Sequence, residues 1–216
     1  MPYGGFMKTI VINTSPRRKW NTAQIMKEAA KGAESAGADV EYIDLYKLDL
    51  HGCMSCLICK KEGQERCKCY WKDDLSPLIE KILDADTLLI GSPIYFNEPT
   101  SHYRALLERL IFCILSYDGF GSYFEGKVNV GLFFTMNAPE DYYETMMEEY
   151  LKSSNHVFNM LNGEVRIYPV FNTLQVSDYS KYAMGGFDED AKKLNHEKQF
   201  PVDLKTAFKI GAELSK

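Results

Sequence analysis

The sequence lacks both the long apolar run and the charge excess that would point to a membrane or a nucleic acid. No apolar run reaches the roughly 18 residues of a bilayer-spanning helix, and the N-terminal stretch MPYGGFMK has no signal-peptide core. The 25 basic and 30 acidic residues give a formal charge of −5, which argues against a nucleic-acid partner or a polybasic membrane surface. We therefore expect a cytoplasmic protein that acts on small molecules.

Several sequence motifs of well-known catalytic sites are also missing. The chain has neither a G-x-G-x-x-G fingerprint nor a Walker lysine, which disfavours a Rossmann dinucleotide site and a nucleoside triphosphatase. The four histidines lack H-x-E or H-E-x-x-H spacing, so we expect them to have no catalytic role. Six cysteines in a chain without an export signal are expected to be thiols, metal ligands or redox groups rather than structural disulfides.

What is present is an alternation of strand and helix patterns along 216 residues. Predicted strands cover 8–12, 39–45, 86–91, 127–134 and 164–170, and predicted helices cover 22–35, 73–83, 100–116, 141–161 and 201–214. We interpret 46–72 as an irregular insertion and 171–199 as a polar and aromatic tail. The order predicts one α/β domain spanning 1–216, with a doubly wound five-stranded parallel sheet and helices on both faces.

The stretch after the first strand is the first candidate site. The sequence TSPRRKWNT connects a β-branched strand to a helix start, where unpaired backbone N–H groups and the positive end of the helix dipole favour a phosphate. The side chains that can close around an anion are Thr14, Ser15, Arg17, Asn21 and Thr22. The alternative that the residues leave open is an ordinary solvated basic turn.

Two later loops are expected at the same edge of the sheet. The loops 13–22, 92–99 and 135–140 each follow a predicted strand. Ligands of doubly wound sheets bind outside the carboxyl ends of the strands, where the winding reverses. These three loops therefore predict one shared ligand site.

The loops resemble those of a known family. The stretch TSPRRKWNT resembles the G-S-P-R-x-x-x-N-T phosphate loop of the flavodoxin-like NADPH-dependent FMN reductases, and GSPIYFN resembles the flavin-ring loop of the same family. The likeness extends through CMSCLIC and Asp73-Asp74-Leu75 to the tail QFPVDLKTAF. Two departures are Thr14, at a position usually occupied by glycine, and Trp20, where a small residue is common.

The resemblance implies a bound FMN. Its phosphate would contact Ser15, Arg17, Asn21 and Thr22, and its isoalloxazine ring would lie along Pro93, Ile94, Tyr95, Phe96 and Asn97. The third loop, with Thr135, Met136 and Asn137, would contact the other side of the ring. Because flavin N5 accepts the hydride, stacking and orientation matter more than a protein acid or base, and we expect no catalytic triad.

The cysteine-rich insertion supports a second resemblance. Cys53, Cys56 and Cys59 have C-x2-C-x2-C spacing, and Cys67 and Cys69 follow, as in the compact motif of iron-sulfur flavoproteins, an offshoot of the same family. Such spacing lets several thiolates converge on a [4Fe-4S] cluster. The fourth ligand is ambiguous between Cys67, by its distance from Cys59, and Cys69, by its position before Asp73. A cluster, free or redox-active thiols, and zinc all remain open.

The sequence thus predicts an FMN-dependent NAD(P)H oxidoreductase that passes electrons to a flavin, a quinone or a redox partner. One alternative is an iron-sulfur flavoprotein that serves as an electron carrier. The other is a non-catalytic flavodoxin-like module that binds flavin or zinc. The family resemblance also implies a homo-oligomer, a dimer or tetramer, with the flavin near the subunit interface.

Overall fold

The computed structural model describes residues 6–216, and a parallel sheet forms its centre. The strands are β1 (Lys8–Asn13), β2 (Asp39–Asp44), β3 (Thr87–Tyr95), β4 (Glu98–Pro99), β5 (Val128–Thr135) and β6 (Asn162–Val170). Five of them are parallel in the order β2-β1-β3-β5-β6, and the short β4 pairs with β3 in the antiparallel sense. The order reverses between β1 and β3, which confirms the predicted flavodoxin-like doubly wound sheet.

Helices cover both faces of this sheet. They are α1 (Asn21–Ser35), α2 (Leu75–Leu83), α3 (Ser101–Ile114), α4 (Glu140–Met146), α5 (Glu148–Asn155), α6 (Glu189–Lys198) and α7 (Phe200–Leu214). Because successive strand side chains point to opposite faces, Ile10 and Ile12 pack with α2 and α3, whereas Val11 packs with α1 and α7. The carboxyl ends of β1, β3 and β5 bring the loops 13–22, 92–99 and 135–140 to one edge of the sheet.

Helices α1 and α7 pack against each other with direct backbone contact. A Cβ atom on Gly32 would lie 1.9 Å from the Phe208 carbonyl oxygen, and one on Gly211 would lie 2.0 Å from the Ala29 carbonyl oxygen. Only glycine permits such backbone contact. The second half of α1 is therefore packed backbone to backbone against α7.

Two predictions about helices were wrong. The predicted helix 141–161 is interrupted at Met147, whose φ of −129° is not helical, and its last third is a 3₁₀ segment, His156–Leu161. The tail 171–199 contains α6, which was not predicted. Apart from Lys192, no α6 residue is buried, so its sequence carries no apolar stripe for periodicity to reveal.

The insertion 46–72 is irregular, as predicted. Only two 3₁₀ turns, Leu45–Lys47 and Ile58–Lys60, lie in or beside it. Backbone N–H groups at Asp49 and His51 donate to the Asp74 and Asp73 carboxylates, at 2.8 and 3.2 Å. Side chains at the start of α2 thus anchor a segment that has no ladder of its own.

Across residues 6–216, no helix combines the length and the apolar character needed to cross a bilayer. The prediction about the N-terminal stretch MPYGGFMK falls mainly on residues 1–5, which lie outside the described residues.

Candidate functional site

The first turn of α1 begins without a capping side chain. Trp20 occupies the N-cap position with extended backbone angles, its side chain caps nothing, and the first turn contains no acidic residue. The first intrahelical bond runs from the Gln24 N–H to the Trp20 carbonyl at 3.0 Å. The preceding N–H groups therefore have no helical partner, and a bound anion would satisfy them.

Side chains of the loop 13–22 surround that turn. The Ser15 hydroxyl accepts a hydrogen bond from the Arg17 N–H at 3.1 Å, which leaves its own proton free to be donated to a ligand. The Thr22 and Thr135 hydroxyls lie 2.7 Å apart, and both side chains are buried. This bond joins the first loop to the third across the edge of the sheet.

The second loop turns sharply at its tip. Phe96 and Asn97 have φ values of 51° and 68° and connect β3 to β4. Phe96 is fully exposed, and Asn97 accepts a 3.4 Å hydrogen bond from the Tyr142 hydroxyl. Two consecutive left-handed residues that are not glycine are unusual, and the turn directs Pro93, Ile94 and Tyr95 along one wall of the site.

Residues 174 and 175, which the sequence patterns did not indicate, lie against the loop 13–22, called the phosphate loop below. The Leu174 carbonyl accepts hydrogen bonds from Trp20 Nε1 at 2.9 Å and from Asn21 Nδ2 at 2.7 Å. The Gln175 carbonyl accepts from Arg17 Nη1 at 2.6 Å, while the Arg17 guanidinium stacks 4.2 Å from the Trp20 ring centre. Trp20 thus fastens the tail to the phosphate loop, which a small residue could not do.

The same segment is fastened to the third loop. The Thr173 N–H and hydroxyl both donate to the Met136 carbonyl at 3.0 Å, and Asn137 Nδ2 donates to the Gln175 side chain at 2.5 Å. Lys192, which is buried, donates from Nζ to the Asn137 carbonyl and, at 2.9 Å, to Asn172 Oδ1. Burial lowers the pKa of this lysine. A buried cation therefore lies directly behind the third loop.

The structure brings most of the predicted flavin residues to one cleft. The cleft is lined by Ser15, Arg17, Asn21, Thr22, Pro93, Ile94, Tyr95, Thr135, Met136 and Asn137, together with Trp20 and residues 173–175. Thr14 lies outside it, fully buried, with its hydroxyl bonded to the Gly91 carbonyl at 2.9 Å. Phe96 and Asn97 lie outside it at the hairpin tip. Its enclosed volume is about 80 Å³, so an FMN would lie largely across its open mouth.

A second cavity lies beneath the insertion. It is lined by Cys53, Cys56, Cys59 and Cys69, by apolar side chains including Leu57, Trp71 and Phe112, and by Arg109 and Cys113. Cys67 is not part of its lining and has a left-handed backbone, with φ of 57°. The cavity therefore distinguishes Cys69 from Cys67, which the spacing alone did not.

Arg109, from α3, holds this region together. Its side chain is 1% exposed and pairs with Asp73, whose side chain is 4% exposed. It also donates to Ser76 Oγ at 2.6 Å, to the His51 carbonyl at 3.2 Å and to Cys69 Sγ at 3.2 Å. The predicted helix-start role of Asp73 is accompanied by this buried ion pair, which periodicity could not reveal.

Burial favours the protonated form of three of the thiols. Burial raises the pKa of Cys59, an effect that the neighbouring Lys60 opposes, and burial likewise raises the pKa values of Cys67 and Cys113. Cys113 is 1% exposed in α3, as expected for a core residue. In the part of the chain from residue 6 onward, no three His, Cys, Asp or Glu side chains are placed to hold a single metal ion, as a zinc site would require.

Comparison with known proteins places these features in context. The NADPH-dependent FMN reductase family matches residues 7–140, which include all three loops and the insertion. An iron-sulfur flavoprotein of Methanocaldococcus jannaschii is 35% identical over 103 residues, 48% of this chain and 51% of the relative. One of Clostridioides difficile is 31% identical over 102 residues, 46% of this chain and 44% of the relative. The chain thus spans about half the length of the curated relatives it matches.

Solved structures support the same fold. An NAD(P)H:quinone oxidoreductase from Methanothermobacter marburgensis superposes with a TM-score of 0.71 at 15% identity, covering 98% of each chain. An azoreductase from Bacillus anthracis gives a TM-score of 0.66 at 13% identity over 96% of this chain and 100% of its own. At such identities the likeness concerns the fold alone. Because the family match extends over well more than half of the 216 residues and contains the three loops of the cleft, this chain belongs to the NADPH-dependent FMN reductase family.

Proposed function

We propose that the protein is an FMN-dependent NAD(P)H oxidoreductase that passes electrons to a small acceptor, such as a quinone or free flavin, or to a redox protein. The observation that carries the proposal is the cleft itself, where the uncapped first turn of α1 meets the Pro93–Tyr95 wall and the third loop. An FMN held in this cleft would supply the hydride-accepting chemistry that links the nicotinamide to the electron acceptor.

The chain's own residues bind and orient this group. The N–H groups at the start of α1 and the Ser15 hydroxyl are the donors for a phosphate. Pro93, Ile94 and Tyr95 offer a flat, largely apolar wall, and Asn137 is fixed by Gln175 and by Lys192 behind it. A flavin held between the Pro93–Tyr95 wall and the third loop would have its open face oriented for hydride transfer.

The first test is an absorption spectrum of protein purified without oxygen, before and after addition of NADPH. Flavin bands that bleach with NADPH are expected. Asn21→Asp places a negative charge beside the phosphate and removes a donor, so FMN affinity should fall by at least about 100-fold. Asn159→Asp makes the same change at an exposed position and should retain FMN. A colourless protein that refuses added FMN would overturn the proposal.

A second candidate function, the iron-sulfur flavoprotein electron carrier, rests on the cysteine cavity. Five thiols line one largely apolar cavity, including the core residue Cys113, and a buried guanidinium donates to Cys69. The four thiols other than Cys113 form a donor set from which the ligands of a [4Fe-4S] cluster can be drawn. Cys53, Cys56, Cys59 and Cys69 would hold it.

Paired substitutions test this assignment. Cys67→Ser should retain about four irons per chain, and Cys69→Ser should lose most of them. Iron and sulfide are counted on the anaerobic sample with zinc as a control. Wild-type protein without iron would rule out the carrier and leave the oxidoreductase untouched.

NADPH rather than NADH is the proposed electron donor. An open surface beside the phosphate loop is lined by five basic residues and one acidic residue, Arg17, Arg18, Lys19, Lys27, Lys47 and Asp44. Such a surface favours the additional 2′-phosphate of NADPH. Replacing Arg18 and Lys19 by alanine should lower kcat/KM for NADPH several-fold and leave that for NADH nearly unchanged.

We propose that residues 1–216 act as one domain in a homo-oligomer in the cytoplasm. The shallow cleft would be completed by a second subunit, and the exposed side chains of Phe96, Tyr142, Met146 and Tyr150 near the hairpin support this. All six cysteines are free thiols, which suits a reducing compartment. Sedimentation of the wild type against Phe96→Ser tests the assembly, and a monomeric wild type would contradict it.

A further inference from the structure

A buried lysine behind the third loop carries a positive charge for which the fold alone gives no reason. Lys192, in α6, exposes 8% of its surface. Its Nζ donates to the Asn137 carbonyl and, at 2.9 Å, to Asn172 Oδ1. Because Asn137 lines the flavin cleft, the ammonium contacts the backbone of a residue in the cleft wall.

No carboxylate among residues 6–216 is paired with this charge. Both of its acceptors are uncharged oxygens, and burial, which lowers the pKa of Lys192, is not opposed by a neighbouring carboxylate. The next residue shows the ordinary arrangement, since Lys193 is exposed and pairs with Glu189 at 2.6 Å. A buried cation without a counter-ion costs free energy. An anionic group bound nearby would offset that cost.

Neighbouring hydrogen bonds fix the position of the ammonium. Asn195, one turn further along α6, donates from Nδ2 to the Phe171 carbonyl at 3.2 Å and to the Asn172 carbonyl at 3.3 Å. The Asn172 N–H donates in turn to the Ala138 carbonyl at 3.0 Å. Helix α6 is thus joined to the third loop through residues 171 and 172, and the ammonium is held against that loop.

The chemistry proposed for the cleft generates an anion there. A hydride brings one proton and two electrons to a flavin, so the ring gains one negative charge while the nicotinamide donor becomes positively charged. A fixed charge near the ring nitrogens is one of the means by which a protein tunes a flavin. At a partly buried site such a charge acts through an effective dielectric constant of about 20 rather than the roughly 80 of water.

We propose that Lys192 is the counter-charge for reduced FMN: it favours the reduced over the oxidised cofactor in the cleft and thereby raises the reduction potential of the bound flavin. This inference rests on the proposed function, because it requires an FMN in the cleft. The family match ends at residue 140, so the charge is supplied by a helix outside the matched segment.

The measured quantity is the dissociation constant of oxidised FMN divided by that of reduced FMN. It is obtained from the reduction potential of the bound flavin relative to free FMN in the same buffer. Lys192→Gln keeps an amide donor and removes the charge, so this ratio should fall about tenfold, a potential about 30 mV lower for a two-electron couple. Lys193→Gln, at the exposed neighbouring position, is the matched control and should change the ratio less than about twofold.

A second variant neutralises the charge without removing it. Asn172→Asp keeps an oxygen 2.9 Å from Lys192 Nζ and turns the contact into an ion pair, so the ratio should fall at least about threefold. The backbone of Asn172 is left-handed, with φ of 51°, and aspartate tolerates that conformation. This variant decides the matter if Lys192→Gln fails to fold.

The affinity for oxidised FMN, from a fluorescence titration, separates the charge from a purely structural role. An anchor of the third loop predicts weaker binding of oxidised FMN with an unchanged ratio, and that result in both variants would overturn the proposal. A wild type that binds no FMN would overturn the proposed function as well. FMN binding by the wild type, with the same ratio in all variants, would overturn the role of Lys192 alone.

Discussion

Thr22 and Cys69 each lie at the wall of a cavity, but the chain places them there by different means. Thr22 follows a strand at the start of α1, and its hydroxyl meets that of Thr135 at the end of a neighbouring strand, 2.7 Å away. Cys69 lies in a segment without a regular ladder and is fixed by a guanidinium from α3, with 3.2 Å between Arg109 Nη2 and the sulfur. The proposed flavin cleft, lined by the loops 13–22, 92–99 and 135–140, depends on the sheet, whereas the cysteine cavity depends on one buried cation.

This difference sets how each site should respond to damage. Removing one hydroxyl from the flavin cleft leaves the strand ends and the first turn of α1 where they are. Removing the guanidinium leaves the insertion without its main anchor and leaves Asp73 buried without its partner. The following predictions test that asymmetry.

The largest effect is expected for Arg109→Leu. The Arg109–Asp73 pair is almost fully buried, so the variant leaves an uncompensated carboxylate in the interior. We expect a loss of about 3–5 kcal/mol in the free energy of unfolding, measured by urea denaturation.

Arg104→Leu, on the same helix, is the control for Arg109→Leu. It breaks the exposed Arg104–Glu108 pair and should cost less than about 1 kcal/mol. Similar losses in the two variants would contradict the anchoring role of Arg109.

The pH dependence of stability should reveal the same ion pair. Burial alone would raise the pKa of Asp73, but hydrogen bonds from Arg109 and from the His51 N–H lower it below its ordinary value. Its stabilising contribution is therefore complete above the ordinary aspartate pKa of about 3.8 and is lost as the pH falls through the lower folded value. The stability gap between wild type and Asp73→Asn should thus narrow from about pH 5 to about pH 2.

Asp203 provides a control of opposite sign. Burial raises its pKa, although hydrogen bonds from Gln199 and Tyr168 oppose the shift. The folded state then binds a proton more tightly than the unfolded state, so this residue costs stability as the pH rises above about 3.8. Asp203→Asn should gain on the wild type over that window, and parallel pH profiles for both variants would show that neither carboxylate is coupled to folding as described.

An intermediate effect is expected for Thr22→Val. The substitution keeps the shape of the side chain but leaves the buried Thr135 hydroxyl without its 2.7 Å partner. The expected cost is about 1–3 kcal/mol in unfolding free energy, with a modest weakening of FMN binding because the Thr22 hydroxyl is lost from the cleft wall. Thr145→Val, at an exposed position on α4, should cost less than about 0.5 kcal/mol. An unfolding loss for Thr22→Val as large as for Arg109→Leu would remove the contrast between the two regions.

The same contrast explains what the sequence could and could not reveal. The alternation of strands and helices along the chain follows from apolar periodicity. In a doubly wound sheet this alternation is enough to bring Ser15, Pro93 and Asn137 to one edge. No periodicity marks Leu174 and Gln175, because they contact the loop 13–22 through backbone carbonyls that any residue carries. Trp20 was the one available sign, as a bulky residue in a position where the family has a small one.

In the cysteine region, spacing identified the candidate ligands but not their arrangement. Cys67 and Cys69 are two residues apart, and the chain has a left-handed residue at position 67, whereas Cys69 accepts a hydrogen bond from Arg109 and lines the cavity. Arg109 lies among apolar residues in a helical pattern, and that pattern does not indicate which groups its side chain contacts. Long-range contacts of a single side chain leave no periodic trace.

The smallest effect is expected for Trp20→Phe, and it tests whether the tail or the sheet edge governs the flavin cleft. Phenylalanine keeps a ring for the Arg17 guanidinium and loses only the Nε1–H bond to the Leu174 carbonyl, which still accepts from Asn21. We expect a cost of at most about 1 kcal/mol, seen as an FMN dissociation constant raised no more than about fivefold in a fluorescence titration. If Trp20→Phe instead abolished FMN binding while Thr22→Val retained it, the cleft would depend on the tail segment rather than on the strand ends. The flavin site would then be held, like the cysteine cavity, by single long-range contacts.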